Sequence, residues 1–347
     1  MHVHQLLILF LLVMLPIASA LAEDTPASTP ITAEAINSAD LATVPAELVP
    51  LPGPDETTGS DDAPPPQASP DPALVKLQVL LDRAGASPGV IDGFDGDNVR
   101  KAVRAFELMR GLPDDGVVDE AVIAALDTAE PVVGAYVITA EDVAAIGEPI
   151  PSDYAEMAKR EFLGYASVPE LLGERFHMDV DLLRGLNPDA QFVAGETVVV
   201  TAYGPDVTDR KVARIEADKA ARQVRAYDAE GALVVAYPAT IGSEDNPSPS
   251  GTHLVDAVAP MPNYTYNPDV NFQQGENTEK LIIPPGPNGP VGAMWIDLTE
   301  PTFGIHGTPE PSKIDKTASH GCVRLTNWDA TELSKLVEPG VPVAFVG

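Results

Sequence analysis

The chain has 347 residues, 44% of them hydrophobic, enough to bury a core in each of two or three domains. Its formal net charge of −31 excludes a nucleic-acid binder, which needs clustered Lys and Arg. The same charge argues against adhesion to anionic lipid, so any binding to an anionic wall polymer has to come from shaped sites.

Leu6 to Leu15 is an apolar run, followed by Pro16 and small residues, and Ala18-Ser19-Ala20 and Ala20-Leu21-Ala22 both read as cleavage sites. This predicts a secretory signal peptide over 1–22 and an exported protein, although the first residues carry His2 and His4 in place of Lys or Arg. The run is too short to span a bilayer comfortably and no later stretch is long and apolar enough, so no stable membrane insertion is expected. Residues 23–72 hold no Lys or Arg and many Pro, Ala and acids, with Asp61-Asp62-Ala63-Pro64-Pro65-Pro66 at their centre. They read as a disordered linker.

Residues 73–128 read as three short helices. Leu74, Leu77 and Leu81 share one helical face, and Val99, Ala102, Val103 and Phe106 repeat the spacing. Gly111 is placed to stop the second helix, and Val122, Ile123 and Leu126 begin a third stripe. Asp92, Asp95 and Asp97 lie in the loop between the first two helices, but their spacing misses the calcium-loop pattern. The run Leu77-Gln78, Ile91-Asp92-Gly93, Ala102-Val103, Phe106, Gly111-Leu112 and Asp115-Gly116-Val117-Val118-Asp119 resembles the helical peptidoglycan-binding domain, with Glu107 where that family usually shows Gln.

Residues 131–151 read as a connection with some strand character. Residues 152–203 then read helix, helix, strand, ending in Leu186-Asn187-Pro188 and Gly195-Glu196-Thr197-Val198-Val199-Val200. This ending is similar to the lysin motif, a small α+β unit that binds N-acetylglucosamine polymers. The expected opening strand is replaced by Gly164-Tyr165-Ala166-Ser167-Val168-Pro169. His177 reads as a packed residue rather than a ligand.

Residues 211–347 alternate short strands with Gly/Pro turns, which predicts a sandwich or barrel, and Asn327 to Leu336 has helical spacing. The chemistry concentrates here. Cys322 is the only cysteine, in Ser319-His320-Gly321-Cys322-Val323-Arg324-Leu325. His306 lies upstream in Gly304-Ile305-His306-Gly307-Thr308. A thiol attacks as thiolate and an imidazole is the usual means of making one, so the two form a candidate catalytic pair. A buried structural thiol is the competing reading. His306, His320 and Cys322 match no common zinc spacing, so no metal and no cofactor are expected. No G-x-S-x-G elbow and no phosphate-cradling Gly loop occur.

The two motifs together, with Thr326-Asn327 after them and Pro284-Pro285-Gly286-Pro287-Asn288-Gly289-Pro290-Val291-Gly292-Ala293-Met294-Trp295 before, resemble the catalytic signature of the L,D-transpeptidases, which remodel bacterial peptidoglycan. The resemblance implies a multidomain protein: a mainly-β sandwich catalytic domain at the C-terminus, with a helical peptidoglycan-binding-like domain and a lysin-motif-like module before it, on a flexible stalk. It implies an exported enzyme of the periplasm or cell wall, acting on peptidoglycan stem peptides and glycan. Cys322 corresponds to the nucleophile, His306 to the general base, and the Gly307 carbonyl to the group that orients the imidazole. Backbone N–H groups near Gly321 and Cys322 correspond to the oxyanion donors, and Ser319, His320, Gly321 and Arg324 to the residues that shape the substrate pocket. Arg324 suits a substrate carboxylate or else an ion pair, and His320 reads equally well as structural. The acceptor stays open among a stem amine, a D-amino acid, a lipoprotein lysine and water, the last giving an L,D-carboxypeptidase or amidase. A non-catalytic wall-binding protein is the remaining class. Residues 260–290 are expected to form a lid. Asp315, where the family commonly has Gly, is expected to reshape a loop or bring charge to the cleft.

Overall fold

A computed structural model of the chain describes residues 31–45, 69–208, 210–243, 246–270, 272–317, 319 and 321–347. The leader read at 1–22 lies outside the described residues, as do 23–30 and 46–68 of the linker.

The linker reading fails for residues 31–45. α1 (Ala33–Ser38) is capped by Thr32, and a 3₁₀ turn follows over Leu41–Thr43. Ile36, Leu41 and Val44 are buried in the core of the helical domain. Composition hides three well-spaced apolar side chains among polar ones. Lys76 Nζ fixes the segment by donating to the carbonyls of Asn37 and Ala39 (3.3 and 2.7 Å).

The helical domain follows as α2 (Pro72–Arg83), α3 (Asp97–Arg110) and α4 (Glu120–Leu126). Asp71 and Asp119 cap α2 and α4 by accepting backbone N–H bonds, and Gly111 ends α3 in the left-handed region (φ 68°). The Asp-rich loop is closed by Gln78. Its Oε1 accepts from the Asp92 and Gly93 N–H groups (3.1 and 2.8 Å), and its Nε2 donates to Asp92 Oδ1 (2.8 Å). Glu107 is buried and accepts from the Gly116 N–H (2.8 Å), with burial pushing its carboxyl up to about 7.

The middle unit opens earlier than the sequence suggests. β1 (Val133–Val137) pairs antiparallel with β2 (Thr197–Thr201), from Val133↔Thr201 to Val137↔Thr197. Between them lie α5 (Ala140–Ala144), α6 (Tyr154–Met157), α7 (Val168–Arg175) and α8 (Val180–Leu186). The opening strand is thus in the stretch read as a connection, where Gly134 and Ala135 blur the alternation, and 152–166 carries α6 instead of a strand. The middle unit and the helical domain share one apolar core.

The C-terminal domain contains β3 (Arg214–Asp218), β4 (Gln223–Tyr227), β5 (Leu233–Pro238), β6 (Thr240–Ile241), β7 (Gly251–Pro260), β8 (Tyr264–Tyr266), β9 (Leu281–Ile283), β10 (Met294–Leu298), β11 (Gly304–His306), β12 (Val323–Arg324), α9 (Asn327–Leu336) and β13 (Pro342–Val346). Nine strands run in the order β5-β4-β3-β13-β7-β10-β11-β12-β6, and β8 and β9 pair separately in the expected lid. β7 links the two halves, since Gly251–Leu254 pair with β13 and Val255–Pro260 with β10. Val224, Val235 and Val343 from one half meet Ile296, Ile305 and Val323 from the other in a single core, so the sheet folds over on itself.

The upstream units are packed against this domain rather than held off on a stalk. Edge strand β5 is covered by residues 85–87: the Ser87 N–H donates to the Ala236 carbonyl and the Ala236 N–H to that of Gly85, both at 2.9 Å. An unpaired edge invites association, and here the helical domain closes it. Ile91 bridges onward to the middle unit through His177 O and the Asp179 N–H (2.8 and 2.9 Å).

Candidate active site

Sheet register builds the site. β11 and β12 run parallel, with Ile305 opposite Val323 and His306 opposite Arg324. On β10, Trp295 lies opposite His306 and Ile296 opposite Ile305. Alternation sends Ile296, Ile305 and Val323 into the core, so Trp295, His306, Arg324 and Cys322 share the other face. Gly304 sits on that face without a side chain because the Trp295 indole lies over it: an added Cβ would come within 2.5 Å of Trp295 Cζ2. The indole stacks on His306 at 5.4 Å and 18°, and its Nε1 donates to Asp297 Oδ1 (3.0 Å).

This face forms the floor of a cleft of about 380 Å³ lined by Cys322, His306, Ser319 and Arg324, with aromatic walls. His306 is buried and its Nδ1 lies 2.7 Å from the Gly307 carbonyl oxygen, which fixes the proton on Nδ1 and leaves Nε2 as the basic nitrogen. Burial, helped by the Arg324 cation and opposed by that carbonyl, lowers the imidazole from 6.5 to about 4. Cys322 is half-buried with Sγ 3.7 Å from Thr302 O, and burial raises its thiol above 9.0. At neutral pH the pair is therefore thiol and neutral imidazole, not a preformed ion pair. Burial lowers the Arg324 guanidinium, which makes no ion pair or side-chain hydrogen bond among the described residues.

The loop before the thiol is pinned. Ser319 is buried; its Oγ accepts from the Gly242 N–H and donates to the Cys322 carbonyl, both at 2.7 Å. Gly321 has φ 104°, and a Cβ there would meet the Phe303 ring at 2.7 Å. Ser248 donates to the Gly321 carbonyl (2.7 Å). His320 lies outside the described residues. On the far side, Asn327 presses against Gly292 and Gly307, accepts from the Ala293 N–H (2.8 Å), and donates to Pro287 O (3.1 Å) and to Glu174 Oε1 (3.3 Å). Thr326, not Asn327, caps α9, which frees the Asn side chain for these contacts.

Several residues of the site carry no sequence signal. Asp297 becomes legible only once β10 is registered against β11, as does the place over His306 of Trp295, which the sequence marks only as the end of the run that resembles the family. Tyr154 on α6 and Glu174 on α7 come from the middle unit. Burial pushes the Glu174 carboxyl up to about 8. Asp315 corrects an expectation, for it does not line the cleft. It is buried at φ 66°, a conformation that favours glycine, and pairs with Lys101 Nζ of α3 (2.5 Å) and Arg222 (3.0 Å). Its charge serves the contact between domains.

The family model described as "L,D-transpeptidase catalytic domain" matches residues 212–344, and that described as "Putative peptidoglycan binding domain" matches residues 70–126. "Putative L,D-transpeptidase YkuD" of Bacillus licheniformis is 31% identical over 162 residues, spanning 46% of this chain and 80% of the relative. "Probable L,D-transpeptidase YbiS" of Escherichia coli K12 is 25% identical over 214 residues, spanning 58% and 69%. The solved L,D-transpeptidase of Xylanimonas cellulosilytica is 17% identical, with a TM-score of 0.35, covering 82% of this chain and 100% of that one.

Proposed function

This chain belongs to the L,D-transpeptidase family, and from that premise we propose that it cleaves the L,D bond of a peptidoglycan tetrapeptide stem through a thioester at Cys322 and passes the acyl group to an amine. One observation supports this reading above the others: a buried, neutral His306, its tautomer held by the Gly307 carbonyl, shares a sheet face and a cleft with the only thiol.

His306 Nε2 takes the Cys322 proton as sulfur attacks the carbonyl beside the diamino acid, and returns it to the departing D-Ala amine. The developing oxyanion would be held by backbone N–H groups near Gly321 and Cys322, whose loop Ser319 and Ser248 pin in place. Arg324, which has no ion pair among the described residues, would take a substrate carboxylate, a task its planar fork suits. The acyl-enzyme is then attacked by the side-chain amine of a second stem, giving a 3→3 cross-link; a D-amino acid or a lipoprotein lysine are other amine acceptors. The walls built from Tyr154, Tyr264, Phe272 and Trp295 would favour transfer over hydrolysis once an acceptor stem fills the cleft between them and displaces its water. The domain at 70–126 would hold glycan, and the leader read at 1–22 would deliver the enzyme to the wall.

The test is to incubate the protein from Glu23 onward with tetrapeptide-rich sacculi, digest with a muramidase and weigh the products, beside Cys322→Ala. Dimers joined through the diamino acid, absent with the variant, are expected. Loss of D-Ala without new dimers would make the protein a hydrolase, and turnover by Cys322→Ala would remove the thiol from the reaction.

A further inference from the structure

The catalytic cleft is not built by the catalytic domain alone. α6, four residues long and more than fifty positions ahead of β3, places Tyr154 in the same cleft as Cys322, His306 and Arg324. Nothing about this position is fortuitous. The Tyr154 N–H donates to Gln274 Oε1 (3.2 Å), Gln274 Nε2 donates to Ser152 O (2.9 Å), and Asn277 donates to Asp153 Oδ2 (3.0 Å). The ring meets Tyr266 edge-on at 5.3 Å, Tyr264 at 6.0 Å and Phe272 at 6.2 Å, all from the lid. Further along, Leu163 donates to Pro285 O (2.8 Å) and accepts from the Asn288 N–H (3.0 Å), with Gly286 so close that no Cβ would fit. Residues 150–164 therefore seat both legs of the lid and hold the phenol rigidly.

The ring by itself serves as a wall of the cleft, and the hydroxyl adds to that only where it has a partner. Tyr154 Oη makes no hydrogen bond among the described residues, and its neighbour across the cleft, the Arg324 guanidinium, makes none either. The two are close enough to influence each other electrostatically. Burial raises the phenol above its ordinary 10.0, so it stays a neutral donor at every working pH. A neutral O–H beside a guanidinium that has no ion pair among the described residues, with the Glu310 carboxylate acting on it only from beyond ion-pair reach, is donor chemistry laid out for an anion.

We propose that Tyr154 is a specificity-determining residue supplied by the middle unit, whose hydroxyl, together with Arg324, binds a carboxylate of the stem peptide. This rests on the peptide-cleaving reading of the same cleft. Of the carboxylates of a tetrapeptide stem, the candidates are the two that flank the bond cleaved: that of the terminal D-Ala and that on the side chain of the diamino acid. The shared chemistry is a carboxylate held by one cationic and one neutral donor.

Binding can be read without turnover. Full-length protein carrying Cys322→Ala, with and without Tyr154→Phe, is titrated calorimetrically with three synthetic tetrapeptides: the free acid, the terminal amide and the side-chain amide. Phe keeps the edge-on ring contacts and removes only the hydroxyl, and melting curves of the two proteins should coincide. The free acid is expected to bind about tenfold more weakly to the Phe variant, the ordinary worth of a hydrogen bond to a charged group. That loss should vanish with one of the two amides, which identifies the carboxylate. An equal loss on all three peptides, or none on the free acid, overturns the proposal. Failure of the transfer reaction itself would show instead in the product assay of the Cys322-containing protein, so the two conclusions stand or fall separately.

Discussion

Residues 304–327 and residues 150–176 meet at the same cleft, yet they carry their information differently. In the first, function is written locally: a thiol, an imidazole sixteen positions upstream on the neighbouring strand, and glycines where the chain must pass close to Trp295 and Asn327. In the second, Tyr154, Leu163 and Glu174 sit among residues that read as connection and helix, and only their tertiary partners give them meaning. The difference teaches that reacting groups need a short, ordered motif, whereas the groups that shape and shut the cleft can come from any surface the fold brings near.

The comparison is tested most severely at His306. His306→Ala should lower kcat/KM by about 10²–10⁴, the usual contribution of a general base. The wild-type acid limb should lie near 4 rather than near 6.5, because only the neutral imidazole can take the thiol proton and burial keeps it neutral down to that pH. A limb at 6.5, or an unchanged rate in the variant, would mean that another group activates Cys322 and that the local motif is less complete than it reads.

Asp315 sharpens the contrast from the other side, because it lies inside the motif-bearing stretch but works for the domain interface. Asp315→Ala leaves the largely buried Lys101 ammonium with no carboxylate at that position, and about 3 kcal/mol of stability should be lost in denaturant titrations. Asp315→Gly should lose less, since glycine accepts φ 66° freely. Turnover by the folded protein should change little in either. A large fall in turnover without loss of stability would return Asp315 to the cleft.

How much was legible follows the same line. The strands around the thiol are readable from β alternation, and the His306–Gly307 orientation and the lid from the resemblance that the motif carries. The helices of 73–128 are readable from their apolar stripes. α1 was hidden by a composition typical of linkers, β1 by Gly134 and Ala135, and the closure of edge strand β5 by residues 85–87 leaves no mark in either partner's sequence, since it runs through backbone groups alone. Backbone pairing between distant segments, and a phenol placed by a helix of one turn, have no periodicity to detect.

Glu174 gives the smallest effect and the most direct measure of the coupling between the two regions. Its carboxyl accepts from Asn327, the side chain that presses against Gly307, whose carbonyl orients His306. Burial raises it from 4.5 to about 8, so between those values the folded protein holds a proton that the unfolded chain has lost. The unfolded state then binds fewer protons, and stability must fall as pH rises. The contribution is fully present below 4.5 and is lost through about 8. Glu174→Gln keeps the amide-accepting oxygen and cannot ionise. It should match the wild type at pH 4.5 and exceed it by on the order of 2 kcal/mol at pH 8, less than the full shift carries because the side chain keeps some contact with water. Thermal melts of both proteins across that range check it. Parallel curves would mean that Glu174 ionises freely in the folded state and that the contact from α7 to Asn327 opens in solution. In that case the middle unit would touch the cleft only through Tyr154 and the lid, and the path from α7 to the His306 carbonyl partner would carry no energy.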